Sequence, residues 1–587
     1  MRTPITALAL ALAAYLAAAS DSRAADPRLS SIYPRGGQVG TEVQVDFNGD
    51  RLEDPEEVLY YGTGISTKEI AFVDPKKVKV TFAIAADCPI GEHSMRLRCK
   101  GGISELSTFW VGQFPTVDEA EDNSDFAAPQ KIERNVTVHG VANNEDVDYY
   151  LVEGVKKGER LSAEVEGIRL GGQLIDPYLA IMDMKRFEIA ANDDTALLLQ
   201  DAYASVIAPE DGSYVIQVRD ASYQGNGGYH YRLHVGGFPR PSSVFPAGGK
   251  PGEELAIKYI GDPAGEKDGK VKLPDQPGIF PVFADDGGFR SPSPIPVRVN
   301  ALNNTIEAEP NNSQKEATPA AGELPLAFNG ILAEDGDQDW IKFNAKKDQK
   351  LEFRAHARSI RSPLDPVINL FAPDGKHLQG NDDDGGSPDS KLVFTIPADG
   401  EYALRVRDHL DKGGPNYIYR VEIQPTAPSL EITIPRFERN DSQARQEINV
   451  PRGNRFATVF NAARSEFGGD LVFEFPQLPQ GVTAKAVPLP GSQTQGVVVF
   501  EAAPDAPVAG GLFDMVTRHA DANTGISGPF SQNVELVTGP PNNTVFYANT
   551  YNKLPAAVVE EAPFKVELVP PWRSRSCRAA RWTCSSR

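Results

Sequence analysis

The segment SSIYPRGGQVG at residues 30–40 decides how this sequence is organised, because a close copy, SSVFPAGGKPG, begins 212 residues later at residues 242–252. Each copy is followed by an alternating apolar segment, TEVQVDF at 41–47 and EELAIKY at 253–259. Alternation of this kind predicts a β-strand with one buried face. The glycines favour the turns that precede the strand, since glycine adopts positive φ without a steric cost. We call the two copies A1 and A2.

A second repeat follows each copy of the first. EAEDN at 119–123 returns as EAEPN at 307–311, and DVDY at 146–149 returns as DQDW at 337–340. DGSY at 211–214 returns as DGEY at 399–402. We call these copies B1 and B2, so that the chain has the order A1, B1, A2, B2. The offset falls from 212 to 188 residues, which makes A2 about 24 residues shorter than A1, and we attribute this to shorter loops.

The repeats and the strand-like alternation predict an all-β protein of several domains. In YALRVR at 402–407, the apolar residues share one face and the two arginines point to water. A chain of 587 residues is also too long for one hydrophobic core. The predicted boundaries are 1–24 for a signal peptide, 26–114 for A1, 116–236 for B1, 238–303 for A2, 305–425 for B2, 428–540 for a fifth unit, C, and 541–587 for a further strand segment and an aberrant basic tail.

The repeated motifs resemble two known families. The opening of the A units is similar to the IPT/TIG immunoglobulin-like domains. The B units resemble the bacterial pre-peptidase C-terminal domain, a jelly-roll-like β-sandwich that is attached to many secreted peptidases and also occurs without one. Unit C is similar to Ig-like modules of secreted bacterial proteins. Together these resemblances imply tandem β-sandwich domains, Ig-like and jelly-roll-like.

The N-terminal residues have the pattern of a secretory signal. An apolar run from Ala7 to Ala19 is followed by Ser22-Arg23-Ala24, a small-x-small cleavage pattern. The run is shorter than the roughly 20 residues of a membrane span, and we find no longer one. We therefore expect export, either out of the cell or into a periplasm, and no transmembrane segment. The net charge of −21 argues against nucleic acid as a partner, because an acidic surface repels phosphate.

Four cysteines occur in the chain, and two of them lie close together in A1. Cys88 and Cys99 are predicted to form a disulfide, which suits an exported protein, and a pair of free buried thiols is the alternative. Cys577 and Cys584 lie in the final residues, where five arginines follow position 571. We interpret this end as truncated or out of frame, and a basic tail that binds an acidic surface is the alternative.

No catalytic motif is found in the sequence. There is no nucleophile-elbow or subtilase-type serine motif, no His-Glu-x-x-His zinc motif and no phosphate-binding loop. His230 and His234 are four residues apart, but on a strand this spacing separates them, and a surface pair is the simpler interpretation. We therefore predict that the chain itself is not an enzyme.

The acidic openings of the B units are the strongest candidate for a binding site. Carboxylates that alternate along an extended segment share one face, and calcium prefers six to eight oxygen ligands. The resemblance to domains of bacterial collagenases implies calcium as a cofactor. The alternative is that these acids are solvated linker residues that protect a strand edge. The predicted ligands are Glu307, Glu309, Asn311, Asp337 and Asp339 in B2, and Glu119, Glu121, Asn123, Asp146 and Asp148 in B1.

These observations predict a secreted, non-catalytic array that binds an extracellular polysaccharide or protein ligand. Tyr229 and Tyr231, or Tyr417 and Tyr419, could stack on sugar rings, although core packing is expected for one of each pair. The alternative is the accessory portion of a secreted peptidase whose catalytic domain lies elsewhere. A third interpretation is a purely structural spacer. The sequence does not specify an oligomeric state.

Overall fold

A computed structural model describes residues 26–562 of the chain. The predicted signal peptide, the basic tail, Cys577 and Cys584 lie outside these residues. About 53% of the chain is strand, which confirms the all-β prediction. The described part contains four short 3₁₀ turns, and none of its helices is long and apolar enough to cross a membrane. The turns are η1 (Ile168–Leu170), η2 (Ala196–Leu198), η3 (Arg358–Ile360) and η4 (Ala522–Thr524).

Unit A1 is a sandwich of two four-stranded sheets, with strand orders β1-β3-β6-β5 and β2-β8-β7-β4. Its core lies between the sheets, where Phe47, Phe82 and Phe109 are buried. The strands are β1 (Arg28–Tyr33), β2 (Gly36–Gln38), β3 (Glu42–Asp50), β4 (Pro55–Tyr60), β5 (Ile65–Asp74), β6 (Lys77–Ile84), β7 (Gly91–Cys99) and β8 (Gly102–Gly112).

Units B1 and B2 each consist of two five-stranded sheets, and the strand orders of the two units correspond one to one. In B1 the orders are β10-β12-β17-β14-β15 and β16-β13-β18-β11-β9. In B2 they are β26-β28-β33-β30-β31 and β32-β29-β34-β27-β25. The B1 strands are β9 (Thr116–Asp118), β10 (Gln130–Ile132), β11 (Val136–Val141), β12 (Asp148–Val155), β13 (Arg160–Glu166), β14 (Pro177–Met182), β15 (Glu188–Asn192), β16 (Tyr203–Ile207), β17 (Gly212–Asp220) and β18 (His230–Gly236). The B2 strands are β25 (Asn303–Ile306), β26 (Thr318–Pro319), β27 (Leu326–Ile331), β28 (Gln338–Ala345), β29 (Lys350–His356), β30 (Pro366–Phe371), β31 (His377–Asn381), β32 (Lys391–Thr395), β33 (Gly400–Asp408) and β34 (Ile418–Pro425).

Unit A2 repeats A1 without two of its strands. Its sheets have the orders β19-β21-β22 and β20-β24-β23. Nothing in A2 corresponds to β4 and β5, which lie between β3 and β6 in A1. The shortening of A2 is therefore the loss of two edge strands, and our prediction of shorter loops is wrong. The strands are β19 (Ser243–Phe245), β20 (Gly248–Gly249), β21 (Glu254–Ile260), β22 (Lys267–Lys272), β23 (Gly278–Val282) and β24 (Ile295–Val299).

Unit C extends further than the sequence predicts. The final strand, β46, pairs in parallel with β36 and antiparallel with β41, and Leu554, Ala556 and Val558 are part of the core of unit C. The predicted boundary at residue 540 is therefore about 20 residues too early. The strands are β35 (Ser429–Thr433), β36 (Ile448–Pro451), β37 (Arg455–Ser465), β38 (Leu471–Glu474), β39 (Val482–Ala486), β40 (Gln495–Ala502), β41 (Gly510–Phe513), β42 (Val516–His519), β43 (Ser527–Pro529), β44 (Gln532–Gly539), β45 (Thr544–Tyr551) and β46 (Leu554–Val559).

The predicted disulfide between Cys88 and Cys99 is not formed, and both residues are buried free thiols. The Sγ atom of Cys88 lies 3.6 Å from Nε2 of His93, near the start of β7, whereas Cys99 ends the same strand. The six residues from His93 to Cys99 span about 20 Å of extended strand. A disulfide requires Cα atoms within roughly 7 Å of each other. The fold therefore holds the two thiols too far apart to pair.

Each A unit contacts the following B unit through a buried arginine. Arg232 of B1 lies under the glycine turn of A1 and forms an ion pair with Glu166 at 2.5 Å. Arg420 of B2 lies under the corresponding turn of A2, next to Gly248, and pairs with Glu422 at 3.0 Å. The paired glycines of the A motif therefore have a second role, because they make room for these guanidinium groups.

The substitution Gly36→Ala is expected to destabilise the A1–B1 junction by about 1–3 kcal/mol, the usual cost of overpacking. The new Cβ would lie 2.5 Å from Nε of Arg232 and would collide with the carbonyl oxygen of Trp110. Urea unfolding of the wild type and the variant measures the effect. Gly212→Ala is the control, because a Cβ there meets no atom within 4 Å. Equal losses for the two variants would contradict the packing argument.

The first and last units of the described chain pack against each other. Arg96 of A1 is fully buried and pairs with Glu447 of unit C at 2.5 Å. Glu92 of A1 accepts a hydrogen bond from Asn549 at 2.7 Å and another from the hydroxyl group of Tyr547. These contacts bury charged groups of both units, and removing one partner would leave the other charge buried and unpaired.

Candidate functional site: the acidic opening of the B units

Three carboxylates meet at the opening of B2. Glu307 and Glu309 follow β25, and Asp339 lies near the start of β28. One carboxylate oxygen from each residue lies within 4.8 Å of the other two. The backbone fixes this arrangement, because the N–H group of Ile331 donates to Oε1 of Glu307 at 2.5 Å. The main chain of Asn311 is also held, since its N–H group donates to Oε2 of Glu309 at 2.9 Å.

Several oxygens of this site are buried without a hydrogen-bond partner. They are both carboxylate oxygens of Asp339 and the amide Oδ1 of Asn311, and both side chains are 0% exposed. Buried oxygens of this kind are costly unless a proton or a cation satisfies them. Burial, followed by the neighbouring Glu307, raises the pKa of Asp339 far above its ordinary value. Burial also raises the pKa of Glu307. Without a cation, Asp339 therefore retains a proton to much higher pH than an exposed carboxylate does, and the shift of the Glu307 pKa has the same direction.

Asp337, the fifth predicted ligand in B2, is not part of this cluster. Its Oδ2 atom accepts from the N–H group of Ala333 at 2.6 Å, and its Oδ1 atom accepts from that of Gln338 at 2.8 Å. The side chain therefore closes the turn that precedes β28. Asp337 and Asp339 alternate as predicted, but Asp337 precedes the strand, and its oxygens accept hydrogen bonds from the backbone of the turn.

The corresponding residues of B1 are arranged differently. Glu119 accepts a hydrogen bond from the hydroxyl group of Tyr150 at 2.8 Å. The hydroxyl group of Tyr231 donates its one hydrogen to Asp148 at 2.7 Å, and its oxygen lies 3.1 Å from Glu119. Tyr150 occupies the position of Ile341 in B2, so B1 places an additional hydroxyl group among its carboxylates. Asn123 is buried beside Glu119, to which its Nδ2 atom donates at 3.2 Å.

The other two predicted ligands of B1 have partners of their own. Glu121 accepts from Nδ2 of Asn143 at 3.2 Å, and Asp146 accepts from the hydroxyl group of Ser124 at 2.8 Å. Within residues 26–562, only B2 brings three carboxylates together at short distance. The sequence predicted equivalent sites in B1 and B2, and the structure brings the predicted residues together only in part.

Sequence reasoning missed the role of the tyrosine hydroxyl groups. Tyr231 and Tyr419 are 1% and 0% exposed, so neither is available to stack on a sugar. The hydroxyl group of Tyr419 donates to Oε2 of Glu307 at 3.3 Å, and the hydroxyl oxygen of Tyr231 lies 3.1 Å from Glu119 at the equivalent place. The repeat did indicate that the two tyrosines have a common role, because each precedes an arginine at equivalent positions of B1 and B2.

The donor set in B2 consists of oxygen atoms. Glu307, Glu309 and Asp339 supply carboxylates, and Asn311 supplies an amide oxygen. Hard cations such as calcium are bound by such oxygens, and water commonly completes their six to eight ligands. Buried oxygens without a partner occur in both copies, at Asp339 and Asn311 in B2 and at Asp148 and Asn123 in B1. Among the described residues, B2 also brings three carboxylates within 4.8 Å of one another, and this arrangement fits such an ion.

The solved structures found by comparison align only weakly with this chain. The periplasmic lysozyme inhibitor PliG of Salmonella Typhimurium is 22% identical, over 21% of this chain and 98% of its own, with a TM-score of 0.14. Tripeptidyl peptidase 2 is 9% identical, over 92% of this chain and 40% of its own, also with a TM-score of 0.14. The glucan-utilisation protein SGBP-B of Bacteroides ovatus is 8% identical, over 65% and 74%, with the same TM-score.

Sequence comparison is more informative. A protein named probable subtilase-type serine protease, from Deinococcus radiodurans, is 35% identical over 106 residues. The match covers 18% of this chain and 14% of the relative, so the two proteins share a segment and not their full lengths. Residues 337–408 match the family model of the bacterial pre-peptidase C-terminal domain. They include Asp339 of β28 and most of the B2 sandwich.

Proposed function

We propose that this chain is the non-catalytic accessory region of a secreted peptidase. The observation that carries the proposal is the match of residues 337–408 to the pre-peptidase C-terminal family. The segment shared with a subtilase-type protein supports it. We found no catalytic motif in the sequence, so on this proposal the peptidase domain lies elsewhere, either in the same gene product or on another chain. On this proposal the chain works outside the cell or in a periplasm.

We further propose that B2 binds one calcium ion through Glu307, Glu309, Asn311 and Asp339. Glu307 and Glu309 belong to the segment between β25 and β26 of B2, which passes from one B2 sheet to the other, whereas Asp339 belongs to β28. A cation at this point would tie this segment to β28 and neutralise the buried carboxylates. Binding would displace the retained proton, so the affinity for calcium should rise with pH.

B1 is proposed to be a second copy of the same family that does not use an ion. Its strand order corresponds to that of B2. The hydroxyl group of Tyr150 donates a hydrogen bond to Glu119, whereas B2 has Ile341 at the equivalent position and so lacks this donor. In B1 this hydrogen bond satisfies a carboxylate whose counterpart in B2, Glu307, would bind the cation.

The accessory role is tested by capture of the peptidase. The mature chain, carrying an affinity tag, is incubated with the culture supernatant of its source organism, and bound proteins are labelled with a fluorophosphonate probe for active serine hydrolases. We expect a labelled peptidase to co-elute with the chain and not with the tag alone, while the chain itself stays unlabelled. The coding DNA is also read past residue 571 in all frames. The proposal fails if no labelled peptidase is captured and no frame encodes a peptidase domain.

Binding of an extracellular polysaccharide or protein stays a prediction for this chain. Of the tyrosines suggested for sugar stacking, Tyr231 and Tyr419 are buried, as expected for one of each pair, whereas Tyr229 and Tyr417 are partly exposed. A different part of the molecule, a polar cavity between three units, is the observation that supports a ligand-binding role.

A further inference from the structure

A polar cavity of about 440 Å³ lies where A1, B1 and unit C meet. Unit C contributes Gln443 and Leu536, and B1 contributes the glycine pairs at 171–172 and 227–228. The polar side chains on its wall include Ser30, Ser31, Arg35, Glu105, Gln173 and His230. The cavity is separate from the acidic openings of the B units.

Arg35 is the unusual residue of this cavity. It is 6% exposed, and its one side-chain hydrogen bond to a described residue runs from Nη1 to the carbonyl oxygen of Leu170 at 3.2 Å. Its Nε atom is buried without a partner. Burial alone lowers the pKa of Arg35 to about 10, with no contribution from an acidic neighbour. A buried guanidinium without a carboxylate partner is costly.

The other buried arginines of the described chain all have an acidic partner. The pairs are Arg96 with Glu447, Arg98 with Glu57, Arg169 with Asp201, Arg232 with Glu166, Arg240 with Glu164 and Arg420 with Glu422. The fold therefore neutralises a buried arginine in six of seven cases, and Arg35 is the exception.

The second repeat shows that the fold does not need a charge at this position. The residue equivalent to Arg35 in A2 is Ala247, and the residue equivalent to His230 in B2 is Ile418. Ala247 and Ile418 are buried in one apolar cluster together with Ile360. The A2–B2 junction is thus closed by hydrocarbon, whereas the A1–B1 junction keeps a polar cavity with a cation in its wall. A purely structural role does not explain this difference.

We propose that the cavity binds an oxyanion, with the Arg35 guanidinium as its counter-ion. The seryl hydroxyl groups and the amide of Gln173 can donate further hydrogen bonds to it. Glu105 is already engaged, because it accepts from the N–H group of Leu29 at 2.7 Å and lies 3.7 Å from Arg28. Its carboxylate can accept a hydrogen bond from a ligand hydroxyl group. A small carboxylate that carries hydroxyl groups, such as a sugar acid, matches this set of donors and acceptors.

His230 faces the same cavity and stays neutral. Its ring lies 4.9 Å from that of Tyr33, and its Nδ1 atom is buried without a partner. Burial, followed by the charge of Arg35, lowers the pKa of His230 to about 4. At neutral pH the positive charge near the cavity therefore comes from Arg35, and His230 contributes a neutral ring nitrogen.

The test is calorimetric titration of the mature chain at constant ionic strength with sodium glucuronate, sodium sulfate and glucose. We expect saturable binding of an oxyanion and none of glucose. Arg35→Ala should weaken that binding at least tenfold, and its melting temperature should stay close to that of the wild type, because A2 carries alanine at the equivalent position. Arg439→Ala is the matched control, since it removes one positive charge from an exposed site.

The three titrants distinguish the source of the anion. Tighter binding of glucuronate than of sulfate, dependent on Arg35, supports a sugar acid as the ligand. Tighter binding of sulfate with the same dependence supports the oxyanion site and assigns it to an inorganic ion or a sulfate ester. The proposal is overturned if neither anion binds saturably, or if Arg35→Ala binds as the wild type does. None of these results depends on capture of a peptidase.

Discussion

Asp339→Asn is expected to remove the calcium-dependent part of the thermal stability of B2. A ligand that binds only the folded state at 100 times its Kd contributes about 2.7 kcal/mol. For a unit of about 120 residues this corresponds to roughly 10 °C in Tm. Asparagine has no negative charge to balance that of the cation, while Glu307 and Glu309 remain in place. The measurement is a thermal melt of the wild type and the variant, each in excess calcium and in chelator.

Asp148→Asn is the matched control, because Asp148 occupies the equivalent position in B1 and lies beside tyrosine hydroxyl groups. Its calcium-dependent shift should equal that of the wild type. A wild-type melt that does not respond to chelator would exclude the proposed ion.

The same carboxylates predict the sign of a pH effect. In the folded chain the pKa of Asp339 lies above its unfolded value of about 3.9. Between the two pKa values the folded state binds more protons than the unfolded state, so in chelator the stability should fall as pH rises above about 4. Bound calcium displaces the proton, and the fall should then be smaller. Melts in chelator at pH 5 and pH 8 measure it, and Asp339→Asn should show a weaker dependence.

Arg169→Ala is expected to cost about 3–5 kcal/mol, the usual effect of breaking a buried ion pair. The guanidinium lies 2.7 Å from Asp201 of B1 and 2.6 Å from the hydroxyl group of Ser293 in A2, and it contacts the ring of Trp110 in A1. Its loss would leave Asp201 with an uncompensated charge in the interior, whereas Glu164 would keep its ion pair with Arg240. It would also weaken the contact between the three units. Equilibrium unfolding in guanidinium chloride measures the change.

Arg455→Ala provides the comparison for that experiment. Arg455 pairs with Glu501 at 3.1 Å, but its side chain is 65% exposed. An exposed pair contributes less than about 1 kcal/mol. If the two variants lost equal stability, burial would not be the cause of the effect of Arg169.

The sequence predicted the features that depend on local pattern. Tyr402, Leu404 and Val406 of β33 are buried while Arg405 and Arg407 are partly exposed, as their alternation requires. The all-β class followed from many such segments. The position of Glu307 beside Asp339 was also predictable in part, because the two short acidic motifs recur together in both repeats.

The features that depend on distant contacts were not predictable in this way. The spacing of Cys88 and Cys99 does not reveal that they lie at opposite ends of β7. The apolar segment at 554–559 completes the core of unit C only because β36, more than 100 residues earlier, is its partner. Arg35 appeared as one residue of a turn motif, and its burial results from the packing of three units.

The contact between the first and last units has a mechanical consequence. The N–H group of Glu560 donates to the carbonyl oxygen of Lys100, and Asp26 lies beside Gly102 of the same hairpin. A pulling force applied at these two points would act directly across the interface of A1 and unit C, which contains the buried Arg96–Glu447 pair. Because the first and last units are in direct contact, this interface would carry the tension before it reached the three units between them.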